Sequence, residues 1–391
     1  MGMTTSRLTG ALALFAAAPL MAAAQAPRVP GLPEWTVAAQ PAVRIGDGAS
    51  DATTFSRVAA VRVSSGEIVV ADGASAELRV FTASGTFVRN LSRKGRGPGE
   101  FQDRSVFAKH GDSLFIADMP LSGRNAHSWT VGGGFVSSFR LQAMNATKGM
   151  APLGRLDNGR YLVAEGRGFI EIPVGLKVDQ LLPDSNTLGI YAPGDSGRVT
   201  WIGRFLRATM VTYPSPLREG LAIMGDAPLA PHLVSGVSGN QVWLGETDDG
   251  RISIYSSEGN VVTTATLPVP ARPFDQAALD AAARVAVDAA GDRSKARVQA
   301  GYSQVARPKT APRFTSFVPG VDGEMWVGLF AENPAAPVRY VMFDRSGKPT
   351  AQAVVPGGVT PFEFGRDYVL GSVTDADGVE SVVMYALRRA R

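Results

Sequence analysis

Apolar residues fall along this chain in short unbroken runs, each closed by a small residue and often by an acid. The clearest run is Glu67-Ile-Val-Val-Ala-Asp72, and it returns as Ser113-Leu-Phe-Ile-Ala-Asp118, Arg160-Tyr-Leu-Val-Ala-Glu165 and Gln241-Val-Trp-Leu-Gly-Glu246. Weaker copies stand at Glu324-Met-Trp-Val-Gly-Leu329 and Asp367-Tyr-Val-Leu-Gly-Ser372. Apolar side chains at successive positions suit a strand covered on both faces. A glycine turn precedes each copy, at Gly66, Gly111, Gly159, Gly239, Gly323 and Gly365.

After most copies comes a hairpin pattern, an apolar strand followed by a glycine-bearing turn. Leu78 to Phe81 turns at Gly85, Ser128 to Val131 at Gly132 to Gly134, and Leu188 to Tyr191 through Gly194 to Gly197. Ile252 to Tyr255 turns at Gly259, and Arg339 to Phe343 at Gly347. Each repeat therefore reads as one four-stranded sheet. Between matching last positions, Asp72 through Ser372, the spacings are 46, 47, 81, 83 and 43 residues. Three lie in the range of roughly 40–50 that a propeller blade occupies. The first long spacing predicts a long hairpin or extended loop over 166–187. The second contains a helical pattern that opens at Pro273, carries Phe274, Ala277, Ala278, Ala281 and Val285 on one face, and stops at Gly291. Continued to about Val305, it predicts a helical insertion over 273–305.

Only one strong strand, Ser381 to Leu387, follows the last copy, and Trp35 to Ile45 is a strand-like segment with no sheet of its own. Pairing the two would complete the last sheet and remove two exposed edges. The expected fold is all-β, a six-bladed β-propeller with N- and C-terminal strands closing one blade and a helical insertion; seven blades is the alternative.

Composition fits this picture. The 44 glycines and 26 prolines supply turns, and 45% hydrophobic residues supply a core. Arg7, the apolar stretch Leu8 to Met21 and the small residues Ala22 to Ala24 predict a signal peptide over 1–24, with the mature chain starting near Gln25. Residues 25–391 then form the propeller. The absence of cysteine excludes disulfides and a lipid-modified N-terminal cysteine. No other apolar run reaches the length of a membrane span, so a periplasmic or secreted protein, expected to be a monomer, follows. A net charge of +4 and a densest basic cluster of only Arg93, Lys94 and Arg96 argue against nucleic acid.

Residues 57–101, ending in Gly97-Pro98-Gly99-Glu100-Phe101, resemble an NHL repeat, and the mature chain is similar to secreted bacterial six-bladed propellers of that group. The resemblance implies the fold. It leaves activity open, because such propellers include binders, scaffolds, lyases and lactonases.

Motifs that carry chemistry elsewhere fall on turns here. Gly111-Asp-Ser-Leu114 and Gly194-Asp-Ser-Gly197 resemble hydrolase nucleophile motifs, but both lie between strands, where Gly, Asp and Ser are ordinary turn residues. The glycine-rich stretch Gly95 to Gly99 lacks the strand-to-helix setting of a phosphate cradle. His110, His127 and His232 occupy different phases of the repeat and are not expected to converge on zinc, and Asn158 and Asn240 fall on the wrong side for an axial calcium site. No metal or cofactor is expected. Asp72, Asp118, Glu165 and Glu246 share one repeat position and are expected to accept backbone N–H groups of neighbouring loops.

One cluster remains. Arg57, Arg104, His232 and Arg313 each stand at the start of an inner strand, on the face from which the 273–305 insertion leaves. They are the candidate ligand-binding residues of an electropositive axial pocket. The reading is an exported binding or scaffolding propeller that contacts a protein, peptide or small anionic ligand on this face. The alternative is a lactonase-like hydrolase or lyase using the same pocket, with or without a divalent metal.

Overall fold

The computed structural model describes residues 28–46, 48, 50–104, 106–118, 125–140, 150–165, 181–193, 198–214, 222–227, 229–273, 276–289, 295, 298–299, 302, 310–333 and 335–390. The leader expected at 1–24 lies outside them.

Blade 1 is the plainest copy of the repeat: Val58–Arg62, Ile68–Asp72, Glu77–Phe81 and Phe87–Ser92, paired antiparallel in chain order. Every residue of Ile68–Asp72 is buried. Val69 and Ala71 pack toward blade 2, against Leu114, Ile116 and Trp129. Ile68 and Val70 pack the opposite way, against Leu370 and Val382 near the end of the chain. The strand is therefore apolar without alternation, since both its faces are interfaces between blades. Each fully buried Val or Ile contributes about 1.5–3 kcal/mol. At the turns the repeat relies on left-handed backbone: Gly66 has φ +88° and Gly85 φ +90°, a region that side chains rarely adopt.

Blade 2 follows as Val106–His110, Ser113–Ala117, Asn125–Thr130 and Gly134–Arg140. Blade 4 is Leu233–Ser238, Gln241–Glu246, Arg251–Ser256 and Val261–Thr266, and blade 5 is Phe314–Pro319, Met325–Leu329, Val338–Phe343 and Pro349–Val355. Blade 3 is enlarged: Met150–Arg155, Tyr161–Glu165, then Leu181–Ala192 and Arg198–Pro214, with a fifth strand Ala222–Asp226. The first long spacing thus goes into two overlong strands and an extra one, and adds no blade. Most of its expected position, 166–180, lies outside the described residues.

Blade 6 joins both ends of the chain. Val359–Phe364, Tyr368–Thr374 and Glu380–Arg388 are completed by Val43–Ile45, with Val43 opposite Met384 and Ile45 opposite Val382. The strand expected over 35–45 is in fact two. Its first part, Glu34–Val37, pairs antiparallel with Glu380–Arg388 and also parallel with the last strand of blade 5. Pro41, which has no N–H to donate, falls in the interruption. First strands of successive blades lie side by side, and that of blade 6 lies beside that of blade 1, so the ring closes after six.

An α-helix, α1, runs from Gln276 to Ala289 in the connection between blades 4 and 5. At its base Pro273 bridges Thr310, and Ala311 N–H donates to Arg272 O at 3.1 Å. The stretch to Val305 lies almost wholly outside the described residues.

Candidate functional site

The inner strands all run in one direction, so the face where they begin carries every blade-to-blade connection. Here two of the proposed residues meet. Arg57 adopts φ +57°, the left-handed region a long side chain takes only when its surroundings impose it. Its guanidinium reaches Asp103 at 3.1 Å and the Gly73 carbonyl, while Arg104 donates to the Arg57 carbonyl. Arg57 is exposed, its side chain 58% accessible. Arg104 is half-buried, and its Nε lies buried with no hydrogen-bond partner. Burial first, and then the like charge of Arg57, pull its pKa below the ordinary arginine range, against the opposing pull of Asp103.

Arg313 and His232 form a second group, in blades 4 and 5. Arg313 N–H donates to Thr247 O at 2.6 Å, and Thr247 N–H donates to His232 O at 3.1 Å. The Arg313 guanidinium donates to the carbonyls of Asp248 (3.0 Å) and Val269 (3.3 Å), and His232 Nδ1 lies 3.1 Å from Ala230 O. No contact between the two groups is recorded, so the four residues stand as two pairs.

Two of the shared acids do what turn acids do. Asp72 accepts from Ser56 N–H and Ala74 N–H, and Asp118 from Gln102 N–H and Asp103 N–H. Asp72 is further held by the buried Arg79 at 3.5 Å. Asp112 of the Gly-Asp-Ser turn binds Ser64 of blade 1, while Gly194 to Gly197 lies outside the described residues. In the glycine-rich stretch the Gly97 N–H is taken by Glu100 at 2.9 Å, so that amide is not open to a phosphate.

The three histidines stand apart. His110 lies 3.4 Å from Asp157, and His127 is 6% accessible with its Nε2 4.0 Å from Asp118. Neither ring nitrogen of His127 has a hydrogen-bond partner, and burial lowers its pKa. Among the described residues no three His, Asp or Glu side chains are grouped to hold a metal ion.

Sequence reasoning missed an ion network where the inner strands end. Glu363 of blade 6 accepts from Arg62 N–H of blade 1 (2.9 Å), Lys109 Nζ of blade 2 (2.7 Å) and the Tyr368 hydroxyl (2.7 Å). Lys109 also donates to Arg62 O, and the Arg62 guanidinium lies 4.7 Å above the Tyr368 ring. Burial and the neighbouring carboxylate push the Tyr368 phenol far up, so it stays protonated. Three blades are pinned by one carboxylate. No single repeat carries this signal, because its members come from three different copies.

The same end of the strands opens a cavity of about 450 Å³ between blades 2 and 3. Phe115, Ser128, Ser137 and Phe139 of blade 2 face Arg155, Asn158, Arg160 and Tyr161 of blade 3. His127 borders it, but strand alternation sends its ring to the other side of the sheet, beside Trp129 at 5.8 Å between ring centres.

Comparison with known proteins bears on fold. A family model described as a 6-bladed β-propeller matches residues 49–122, which span blade 1 and the first half of blade 2. Set beside the closed ring of six sheets, this decides the architecture. The chain is a six-bladed β-propeller. Similar solved structures are a Bacteroides fragilis protein described as exported, virginiamycin B lyase from Staphylococcus aureus and regucalcin, a calcium-binding protein, from Agrobacterium tumefaciens. Their identities to this propeller are 12%, 9% and 13%, with TM-scores of 0.45, 0.39 and 0.38. The alignments cover 92%, 89% and 92% of this chain and 99%, 98% and 97% of the other. No curated protein matches it in sequence. No helix among the described residues is long and apolar enough to cross a membrane.

Proposed function

We propose that this propeller is an exported binding protein that holds an anionic group, on a small ligand or an acidic peptide, at the Arg57–Arg104 corner of its strand-start face. The observation that carries this reading is the Arg104 guanidinium. It is partly desolvated, sits against a second arginine, and keeps one buried N–H without an acceptor. An anion placed there would satisfy that donor and relieve the repulsion between the two cations. The left-handed Arg57 supports it, since backbone strain of about 1–3 kcal/mol is commonly retained where a site needs a side chain aimed. Helix α1 leaves from this same face and serves as its lid or docking surface. Arg313 and His232 have their polar groups against carbonyls and hold the base of that insertion in place. Export rests on the leader at 1–24 and puts the binding face in the periplasm or the medium.

Calorimetric titration with succinate and with a short poly-glutamate peptide tests the reading. Binding of at least one should weaken by about tenfold or more in the Arg57→Ala/Arg104→Ala double variant, and Arg313→Ala should change it little. Equal affinity in the double variant and the parent, or no binding of either probe, ends the proposal.

A further inference from the structure

The cavity between blades 2 and 3 lies at the opposite end of the inner strands from the arginine corner, and its lining has a different chemistry. Arg155 ends the first strand of blade 3 and lays its guanidinium 3.4 Å from the centre of the Phe115 ring across the gap. It donates to Leu156 O at 3.1 Å and makes no ion pair among the described residues. Burial pulls its pKa down, opposed by Tyr161 and by the more distant Asp157 carboxylate. A guanidinium that rests on a ring face and neutral oxygens, with its nearest carboxylate beyond ion-pair distance, is a cation only partly balanced. Arg160 also borders the cavity, but its guanidinium is held by blade 4, 2.8 Å from Ser257 O and 3.5 Å from Glu258.

The other wall is apolar. Phe139 meets the buried Tyr161 edge to face, with ring centres 6.2 Å apart, and keeps 38% of its surface accessible. Ser137, on the same strand as Phe139, and Ser128 on the neighbouring strand hydrogen-bond each other at 2.8 Å, and each hydroxyl retains capacity for a further bond. The volume, about 450 Å³, lies within the roughly 300–1,000 Å³ of small-molecule sites. A cation on one wall and, on the other, an exposed aromatic edge beside two hydroxyls select a ligand with a negative end and a flat apolar body.

We propose that the cavity between blades 2 and 3 is a second binding site, distinct from the arginine corner, that takes a small aromatic carboxylate with its carboxylate at Arg155 and its ring against Phe139. Each contact uses a group the fold leaves incompletely satisfied. The aromatic ring supplies the apolar area, and the carboxylate supplies a direct ion pair for Arg155.

The test uses the full mature chain and three probes, 2-naphthoate, 2-naphthamide and acetate, followed by calorimetry and by saturation-transfer NMR. Naphthoate should bind, and naphthamide and acetate should each bind about tenfold more weakly or worse, as expected for loss of a charge-assisted pair or of the ring. Arg155→Gln should cost naphthoate about tenfold in affinity while Arg57→Ala/Arg104→Ala leaves it unchanged, which separates this site from the corner. Should Arg155→Gln fail to fold because Phe115 loses its cover, Phe139→Ala, at a partly exposed position, should weaken naphthoate and spare acetate. Absence of naphthoate binding overturns the proposal. So does equal binding of the amide, or naphthoate affinity that the folded variants leave unchanged.

Discussion

The interfaces on either side of the ring differ in how they are filled. Between blades 5 and 6, Trp326 stacks on Phe364 with ring centres 4.2 Å apart and meets Trp35 edge to face at 5.5 Å. Tyr340, Val369, Tyr385 and Leu387 complete a dry cluster. Between blades 2 and 3, the buried cluster among the described residues is smaller, built on Ala117, Ala126, Val163, Tyr161 and Tyr191, and beside it lies the Arg155 cavity. The first interface holds together a blade whose strands come from opposite ends of the sequence. The second joins two blades each continuous in sequence. The tighter interface is the one that Glu34–Val37 also straps, pairing with blade 5 on one side and blade 6 on the other, and space is left where no such strap crosses.

That contrast can be broken most directly by removing the strap. Deleting residues 28–46 takes away Glu34–Val37 and Val43–Ile45, together with the bonds that tie Val29 and Leu32 to the buried Gln352. The melting temperature should fall by more than about 10 °C, or the cooperative transition should vanish. An unchanged thermal scan would show that blade 6 needs no closing strand. Trp326→Ala comes next, with an expected loss of about 3–5 kcal/mol by denaturant titration. A loss below about 1 kcal/mol would mean that the 5–6 interface is no more demanding than the open one.

The smallest effect concerns pH and blade 2. Burial lowers the His127 pKa below its ordinary 6.5, so the folded protein holds this ring neutral while the unfolded chain protonates it. The unfolded state then binds more protons, and stability falls as the pH drops through about 6.5 toward the lower folded value. Asp118, 4.0 Å away, opposes the shift without cancelling it. Urea midpoints for the parent should drop between pH 7 and pH 5 more than those for His127→Gln. Parallel shifts in the two proteins would remove the buried histidine as the cause.

The fold was legible because one strand per blade is covered on both faces. Ile68 to Asp72 must be apolar at every position, and copies of that run can be recognised across the chain. The repeat register also placed Arg57, Arg104, His232 and Arg313 at the starts of inner strands. What it could not convey was the neighbour each side chain would meet. Register fixes height along the axis, whereas the partners of Arg313 are carbonyls supplied by a turn of the preceding blade and by the loop after it. The Glu363 network and the Arg155 cavity were illegible for the same reason. Phe115 and Arg155 belong to different copies, and nothing in either copy marks it as half of a pair. Pro41 was in plain view, yet strand patterning ran through it.

The strand that closes blade 6 also orders events in time. Arg44 and Ser381 are bonded across 337 positions of sequence, so a segment that leaves the ribosome early waits for one made far later. Contacts this distant in sequence are slow to form, since the chain pays the entropy of closure before it gains the contact. Blades 1 to 5 can assemble as the polypeptide lengthens, each against the one before. During that interval the outward faces of blades 1 and 5 remain open, with Ile68, Val70 and Trp326 uncovered. The vulnerable species in the life of this molecule is thus a nearly finished one, and any chaperone that attends it meets the protein as an unclosed arc.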